Sequence, residues 1–446
     1  MITSLRLKDF KNFADETLHI GKFTLIVGAN ASGKSNIFDA FRFLHGIGRG
    51  YSLAEIAGGK HEAGWKPIRG APNELVRFRT SEAPPEVRQF SLDVEMIVPA
   101  IWQSLLGTEH KARYRIDIHP EYSSGDRLSV ADEALWIDSK EIYTGAIFDD
   151  QNILLDRSRP VLTQLPPKSQ DVDSVAAQHT DMPAPYIRSH RALQSRKVAD
   201  VVRQFQWVRF FDFSPDRMRE PAFPGQTTLG DSGEYLPTVL REICADPKRE
   251  SVLTSWLRGL TPMDVASFEF PADPSGRIHL VIRETNGAKV SASAASDGTL
   301  RFLAMLAALL GDNPSYVYFF EEIENGLHAS RLHLLIDLIE GVTSNGTKQV
   351  IATTHSSDLL SLVRDSTFES TSVVSRLEDA NKTIIRRVAE LHQARKLRKT
   401  QGLARLFTGG WMETALAFAE GSGEDEERSE RRFLSFPRTF ATTNTS

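Results

Sequence analysis

The pattern of hydrophobic and polar positions along the chain predicts an α/β protein. Compact apolar runs, which are typical of buried strands, occupy residues 22–27, 207–213, 316–320 and 349–354. Apolar residues at helical spacing follow at 36–44, 235–245, 248–259, 300–310 and 330–341. Strict alternation at 2–9, 74–80, 90–97 and 110–118 predicts antiparallel strands near the N-terminus. We therefore expect a mixed sheet in which a nucleus of buried strands is flanked by helices.

One glycine-rich stretch lies between the first compact apolar run and the first helix. Its residues are Gly28, Ala29, Asn30, Ala31, Ser32, Gly33, Lys34 and Ser35, and Asn36 follows in the predicted helix. The stretch fits G-x-x-x-x-G-K-[ST], the phosphate-binding loop of nucleoside triphosphatases. Glycines let backbone N–H groups turn around a phosphate, and the helix N-terminus adds partial positive charge. Lys34 is expected to bridge the β- and γ-phosphates of ATP, and Ser35 to ligate Mg²⁺.

Two carboxylates and a histidine follow later buried runs. Glu321 and Glu322 come directly after the run at 316–320, which we expect to form the strand beside the phosphate-loop strand. The first acid can hold Mg²⁺ and the second can orient and deprotonate the attacking water. His355 follows the run at 349–354, where a histidine can reach the γ-phosphate. Glu322, His355 and Lys34 are therefore the predicted catalytic residues, and Ser35 and Glu321 are the predicted metal ligands.

Composition excludes several classes of protein but does not identify the function. The 446 residues carry a formal net charge of −5, so any attraction to nucleic acid must come from a local patch. A single cysteine, Cys244, excludes an intramolecular disulfide framework and a four-cysteine zinc site. No apolar run approaches the length of a membrane span, and the first residues lack a signal-peptide core. We expect a cytoplasmic protein.

Five stretches together resemble the ATP-binding-cassette ATPases of the SMC/RecF/OLD type, including the standalone prokaryotic proteins called AAA family ATPases. They are ITSLRLKDFKNF from residue 2, GANASGKSNIFDAF from 28, SDGTLRFLAML from 296, YFFEEIENGLH from 318 and IATTHSSDLL from 351. The resemblance implies a P-loop NTPase with an SMC-like head. Such a head has a mixed central sheet, an antiparallel N-terminal sub-sheet and an inserted helical or irregular lobe.

The resemblance also implies a homodimer that clamps two ATP molecules between its subunits. In that arrangement Ser296, Asp297 and Gly298 form a signature turn that contacts ATP bound to the other subunit. Residues 325–328 correspond to the loop through which the two sites sense each other, and His355 corresponds to the switch histidine. The acid pair departs from the family pattern, because Glu321 stands where an aspartate is usual.

The expected organisation is an ATPase head over residues 1–418 and a disordered polar tail over 419–446. Within the head, the nucleotide core covers about 1–50 and 205–375, and an inserted lobe covers about 50–205. Residues 50–200 lack the sustained heptads of long SMC arms, so tethering of distant DNA by coiled coils is not expected.

These features predict an ATP-hydrolysing, nucleotide-gated dimer, associated with DNA in repair or antiviral defence and controlling a separately encoded effector. The alternative is an ATP-binding sensor or scaffold that seldom hydrolyses ATP and acts through protein contacts. Two basic clusters are candidate contacts for DNA or a partner chain, but a solvated helix face is the more ordinary explanation of the C-terminal one. One comprises Arg188, His190, Arg191, Arg196 and Lys197, and the other Arg386, Arg387, Arg395, Lys396, Arg398 and Lys399.

Overall fold

The computed structural model describes residues 1–59, 65–77, 88–98, 109–121, 127–144, 157–164, 196–311, 315–377 and 382–421. The strands are β1 Ile2–Phe10, β2 Phe13–His19, β3 Phe23–Val27, β4 Phe90–Val98, β5 His110–Glu121, β6 Arg127–Ile137, β7 Lys140–Thr144, β8 Val208–Phe211, β9 Val265–Glu269, β10 Val281–Glu284, β11 Lys289–Ser291, β12 Val317–Phe320, β13 Gln349–Thr354, β14 Ser372–Leu377 and β15 Lys382–Arg387.

The helices follow the same order along the chain. They are α1 Lys34–Gly48, α2 Val161–Gln164, α3 Arg196–Gln206, α4 Pro215–Arg219, α5 Leu236–Cys244, α6 Pro247–Leu260, α7 Asp297–Leu310, α8 Leu332–Thr343, α9 Ser357–Ser361, α10 Asp365–Glu369, α11 Ala394–Gln401, α12 Leu403–Thr408 and α13 Trp411–Gly421. Within the described ranges, no helix combines the length and the apolar character that a membrane crossing requires.

Most of the strands join into one twelve-stranded sheet. Its order is β7-β6-β5-β4-β1-β2-β15-β14-β3-β13-β12-β8, and β11-β10-β9 form a separate antiparallel sheet. The run from β7 to β2 is antiparallel throughout, whereas β14, β3, β13, β12 and β8 are parallel. The predicted mixed sheet and antiparallel N-terminal strands are confirmed, and the structure joins the two as one continuous sheet.

The parallel half of the sheet fixes where a ligand can bind. Ligands of open α/β sheets lie beyond the carboxyl ends of the parallel strands, where the loops converge. In register, Thr354 at the end of β13 pairs with Val27 at the end of β3, and Phe320 of β12 pairs with Phe211 of β8. The residues that follow these four strands therefore meet along a single edge.

Alternate residues of the parallel strands enter two cores on opposite faces of the sheet. On β12, Tyr318 and Phe320 face the core that holds α7 and α8, whereas Phe319 faces the core that holds α1. The Phe319 ring packs against Phe38 and Phe41 of α1, with centroids 5.1 and 4.6 Å apart. Burial on both faces explains why these strands appear in the sequence as continuous apolar runs.

Two details differ from the sequence predictions. The acid-bearing strand β12 does not neighbour β3, because β13 lies between them, although all three end at the same edge. Residues 74–80 were expected to be a strand, but Pro72–Leu75 forms a short 3₁₀ helix and Val76 makes only an isolated bridge to Phe10. Pro72 favours this turn because its fixed φ suits the first helical position.

Two other expectations fall wholly or partly outside the described residues. Beyond residue 421, the predicted polar tail lies outside the described residues. The basic cluster at 188–197 is described only from Arg196 onward, at the start of α3. The division of the chain into core and inserted lobe stays a prediction.

Candidate active site

The phosphate loop occupies the turn between β3 and α1, as the sequence predicted. Gly28 and Gly33 have φ values of 154° and 109°, and Ala31 adds a third positive φ of 61°. A Cβ at Gly28 would approach Ser32 Oγ to 2.9 Å and collide with the Val374 carbonyl. Glycine is therefore required at this position by space as well as by backbone angle.

Lys34 is the first residue of α1 and lies among the loop carbonyls. Its Nζ donates hydrogen bonds of 2.7 Å to the carbonyl oxygens of Gly28 and Ala29. Burial lowers the pKa of Lys34 to about 8, and the nearby Glu322 carboxylate opposes part of that shift. The side chain thus lies where a bound phosphate would replace backbone acceptors and favour the charged ammonium.

The two acids emerge from β12 in different environments. Glu321 N–H donates to the Phe211 carbonyl at 3.1 Å, which ties the acid to the end of β8. Burial raises the pKa of Glu321, and the neighbouring carboxylate of Asp212 raises it further. Two carboxylates at the ends of adjacent strands, one of them partly buried, favour a cation between them or a shared proton.

Glu322 has an unusual backbone that aims its side chain away from the strand. Its φ is 48°, a left-handed conformation that non-glycine residues seldom adopt. The conformation is held because Glu322 N–H donates to Thr353 Oγ1 at 3.0 Å. Asn325 Nδ2 in turn donates to the Glu322 carboxylate at 3.3 Å. Backbone strain held by such contacts is typical of functional positions.

His355 follows β13 and is anchored through its backbone. Its N–H donates to Glu324 Oε1 at 2.9 Å, so the loop after the acids also fixes the position of the histidine. The other carboxylate oxygen of Glu324 is buried with no hydrogen-bond partner among the described residues. Sequence analysis did not single out Thr353 or Glu324, because neither residue type at a strand end is distinctive by itself.

Arg69 is the site residue that the sequence gave no reason to select. Its guanidinium Nη2 donates to the Ser35 carbonyl at 2.5 Å and lies 3.0 Å from Asp39 Oδ2. Lys11 Nζ reaches the same Asp39 oxygen at 2.5 Å and also donates to the Arg69 carbonyl at 2.8 Å. Asp39 lies on α1 one turn beyond Ser35 and is completely buried. It therefore holds Arg69 beside the phosphate loop.

These elements enclose a cavity of about 290 Å³ at the carboxyl edge of the parallel strands. Its lining consists of Asn30, Ala31, Ser32, Gly33, Lys34, Ser35, Asn36, Arg69, Glu321, Glu322, Thr353 and His355. The structure thus brings the phosphate loop, the acid pair and the histidine together around one space. The roles assigned to these side chains stay predictions.

The signature turn, residues 296–298, lies outside this cavity. Ser296 caps α7 by accepting a hydrogen bond of 3.2 Å from Thr299 N–H, and Asp297 forms an ion pair with Arg219 at 2.6 Å. Ser296 and Asp297 are both exposed. Gly298 lies against Gly326, so the turn contacts the loop that follows the acids in the same chain. Its predicted contact with ATP on another subunit stays a prediction.

The C-terminal basic cluster is largely neutralised by acidic neighbours. Arg395 pairs with Glu369 at 2.7 Å, and Arg398 pairs with Asp365 at 2.5 Å. In the other cluster, Lys197 lies 3.1 Å from Asp138, and Arg188, His190 and Arg191 fall outside the described residues. Paired arginines favour a structural role for the C-terminal cluster, because a nucleic-acid phosphate would have to displace their carboxylates.

Comparison with known families identifies the class of domain. The family described as "AAA domain, putative AbiEii toxin, Type IV TA system" matches residues 23–136 and 264–361. The two matched segments of the chain are thus similar to an AAA-type ATPase domain. These two matched segments contain the phosphate loop, the signature turn, the acid pair and His355. The predicted resemblance to the SMC/RecF/OLD type and the prediction of an ATPase are confirmed at this level.

Individual proteins show more distant similarity. The chain is 22% identical over 378 residues to an "ATP/GTP phosphatase" of Helicobacter pylori, covering 81% of this chain and 87% of that protein. It is 44% identical over 63 residues to a chromosome partition protein Smc of Clostridium kluyveri, which is 14% of this chain and 5% of that protein.

Solved SMC head domains are also similar to the chain. A head bound to the C-winged helix domain of ScpA has a TM-score of 0.46 and 16% identity, covering 86% of this chain and 97% of that one. The head from Thermotoga maritima has a TM-score of 0.39 and 13% identity, covering 87% and 98% of the two chains.

Proposed function

We propose that the chain is an ATP-hydrolysing, nucleotide-gated dimer that controls a separately encoded effector in DNA-associated repair or genome defence. The observation that supports hydrolysis most directly is the single cavity lined by Lys34, Ser35, Glu321, Glu322 and His355. A phosphate-binding loop opposite two carboxylates is the arrangement that phosphoryl transfer to water requires. The AAA family match supports the same activity.

Lys34 and the loop N–H groups bind and orient the triphosphate. The ammonium leaves the carbonyls of Gly28 and Ala29 and pairs with the β- and γ-phosphates. Charge on those oxygens favours the protonated lysine, which offsets the burial that lowers its pKa. Arg69 lines the same cavity and adds a second cation beside the phosphates.

The donor set at the cavity fits Mg²⁺. Ser35 offers a hydroxyl and Glu321 a carboxylate, both hard oxygen ligands, and Asp212 lies near Glu321. A bound Mg²⁺ would neutralise developing charge on the phosphate oxygens. A cation bound there would favour the ionised form of Glu321, because burial and the neighbouring Asp212 carboxylate raise the pKa of Glu321 without one.

Glu322 accepts the proton of the attacking water. Its left-handed backbone and the Asn325 hydrogen bond hold the carboxylate at the cavity, where a water beside the γ-phosphate can be oriented. His355 lines the same cavity and is held through Glu324. We infer that it contacts the γ-phosphate and reports its loss to the loop after the acids.

Dimerisation completes the proposal, because one chain leaves its signature turn away from its own cavity. Ser296 is exposed at the N-terminus of α7, so its hydroxyl and neighbouring N–H groups are available to a triphosphate on a second copy. The contact between Gly298 and Gly326 supports coupling of that turn to the acids of its own chain. ATP thus closes the dimer and hydrolysis opens it.

The effector and DNA association are supported only by family context. The matched family is described as a putative toxin of a toxin–antitoxin system, which suits a defence role. The alternative of a low-turnover sensor is favoured by Glu321, whose longer side chain and raised pKa weaken a metal site relative to an ionised aspartate.

Steady-state ATP turnover with and without double-stranded DNA separates the two functions. Stimulation by DNA supports the DNA-associated ATPase, and a flat, low rate supports the sensor.

Light scattering of Glu322→Gln with ATP tests gating, because the mass should rise from 49.8 kDa towards a dimer. The added substitution Ser296→Arg should prevent that rise. If ATP does not change the mass of Glu322→Gln, with or without Ser296→Arg, the gated dimer is contradicted.

A further inference from the structure

A second cavity, of about 720 Å³, lies beside β8 at the end of the twelve-stranded sheet. We call it the β8 cavity. Its walls come from the later turns of α1, from Trp65 and Lys66, from β8 and from residues 226–235. It shares no lining residue with the phosphate-loop cavity. Its volume falls within the range of about 300–1,000 Å³ that is typical of small-molecule sites.

The charged side chains of the β8 cavity are mainly cationic. Arg42, Arg49, Lys66 and Arg209 outnumber Asp231 and Glu234 among the lining residues. Burial lowers the pKa of His45 to about 4, so this imidazole is neutral near pH 7. Burial also raises the pKa of Asp231, which reduces its ability to offset the cations. The cavity therefore favours an anion.

One buried donor in the wall has no acceptor among the described residues. Trp65 is 8% exposed, and its Nε1 has no partner there. Arg42 is 9% exposed, and its guanidinium lies 5.1 Å from the centroid of the Phe210 ring. Both groups can only donate. Buried donors are normally paired, so Trp65 Nε1 together with the Arg42 guanidinium indicates an acceptor-rich ligand.

Flat aromatic surfaces accompany the cations. Trp207 lines the cavity beside the Val208 end of β8, and Tyr235, another lining residue, is 37% exposed. Aromatic faces bind planar rings by stacking, and a guanidinium fork matches two oxygens of a phosphate. A ligand that carries both a phosphate and a planar ring satisfies both features of the wall.

We propose that the β8 cavity is a second ligand site, separate from the ATP site, that binds a phosphorylated small molecule of nucleotide size. Arg42 contacts the phosphate, Lys66 adds long-range attraction from the rim, and Trp207 stacks on the ring. Arg209 has a structural role in the wall, because it donates to the Leu229 carbonyl and lies 3.5 Å from Asp231.

Isothermal titration calorimetry of the full chain carrying Lys34→Ala tests the proposal, since that change disables the phosphate loop. The probes are AMP, UMP and inorganic phosphate. One saturable site per chain with a Kd below about 1 mM is expected for at least one probe. AMP binding more tightly than phosphate indicates a nucleotide, and equal binding indicates free phosphate. No saturation by any probe up to about 10 mM overturns the proposal.

Variants of the wall assign the binding to this cavity. Arg42→Gln in the Lys34→Ala background should weaken the probe at least about tenfold, because a charge-assisted hydrogen bond is lost. Lys66→Gln changes a side chain that is 40% exposed and so remains informative if Arg42→Gln fails to fold. Arg258→Gln, on α6 and lining neither cavity, is the matched control. Unchanged affinity in the folded wall variants overturns the assignment. None of these measurements depends on ATP hydrolysis.

Discussion

Gly298 of the signature turn and Gly326 of the loop after the acids lie back to back. A Cβ on Gly298 would collide with the Gly326 carbonyl, and a Cβ on Gly326 would lie 3.1 Å from the Gly298 Cα. Gly298 and Gly326 thus contact each other through backbone atoms. Any movement of the signature turn must therefore displace the loop that holds Glu322 and Asn325.

Gly298→Ala is predicted to reduce ATP turnover by about tenfold or more while leaving ATP affinity of the single chain nearly unchanged. The added methyl group forces the loop away and misplaces Glu322, whereas the phosphate loop is untouched. Steady-state rates and equilibrium titration measure the two effects. Gly341→Ala is the control, because no atom lies within 4 Å of a Cβ there and Ala favours helix α8. Equal rates for Gly298→Ala and wild type would show that the Gly298–Gly326 contact does not couple the signature turn to Glu322.

Proton uptake on ATP binding should report the state of Lys34. Its pKa is lowered to about 8 in the free protein, and bound phosphate restores the charged form. Affinity should therefore fall as the pH rises through 8, and uptake should grow from about 0.1 proton at pH 7 to about 0.9 at pH 9. Calorimetry in buffers of different ionisation enthalpy gives these numbers. Uptake that is the same at both pH values would show that Lys34 does not titrate in this range.

Arg69→Ala should weaken ATP binding by about tenfold, because a cation beside the phosphates is lost. Arg69→Lys should recover only part of the affinity, since the single ammonium cannot contact both Ser35 and Asp39 as the guanidinium does. Arg395→Ala removes an exposed ion pair away from the cavity and serves as the control. If Arg69→Ala and Arg395→Ala bind ATP equally well, Arg69 has no part in the site.

Buried Glu133 is predicted to be a major contributor to stability. Its carboxylate accepts hydrogen bonds from Tyr143 at 2.7 Å, Tyr114 at 3.0 Å and the backbone of Val161 and Leu162 at the start of α2. Glu133→Ala leaves these buried donors unpaired and should lower the free energy of unfolding by about 3 kcal/mol. Denaturant unfolding measures the change. Asp132→Ala, which removes a partly exposed ion pair with Arg115, should cost less than about 1 kcal/mol. A loss no larger than that for Glu133→Ala would contradict the prediction.

Local motifs explain why the phosphate loop and the acids could be predicted from the sequence. The loop is defined by eight consecutive residues between a strand and a helix, and the acids directly follow an apolar run. Arg69 could not be found in this way, because its position beside Ser35 depends on Asp39 and Lys11, which are distant from it in sequence. The position of β13 between β3 and β12 could not be predicted either, since the order of strands along the chain does not determine their order in the sheet.

The continuity of the large sheet could not be predicted from the sequence either. Alternation predicted antiparallel strands at β1, β4 and β5, but it did not predict that β2 and β15 join them to the parallel strands. Thr383 of β15 pairs with Phe13 of β2, and that parallel pairing joins the two halves. Asn12 supports the junction, because it donates to Thr383 Oγ1 at 2.6 Å and accepts from Asn36 of α1 at 2.8 Å.

Single-turnover hydrolysis by Glu322→Gln tests the central claim most directly. The account predicts that this variant binds ATP as tightly as wild type and hydrolyses it about 10²–10⁴-fold more slowly, because the base that deprotonates water is missing. Rapid-quench analysis of ATP bound to excess protein measures both quantities. Hydrolysis at the wild-type rate with ATP fully bound would contradict the assignment of Glu322 and the mechanism built on this cavity.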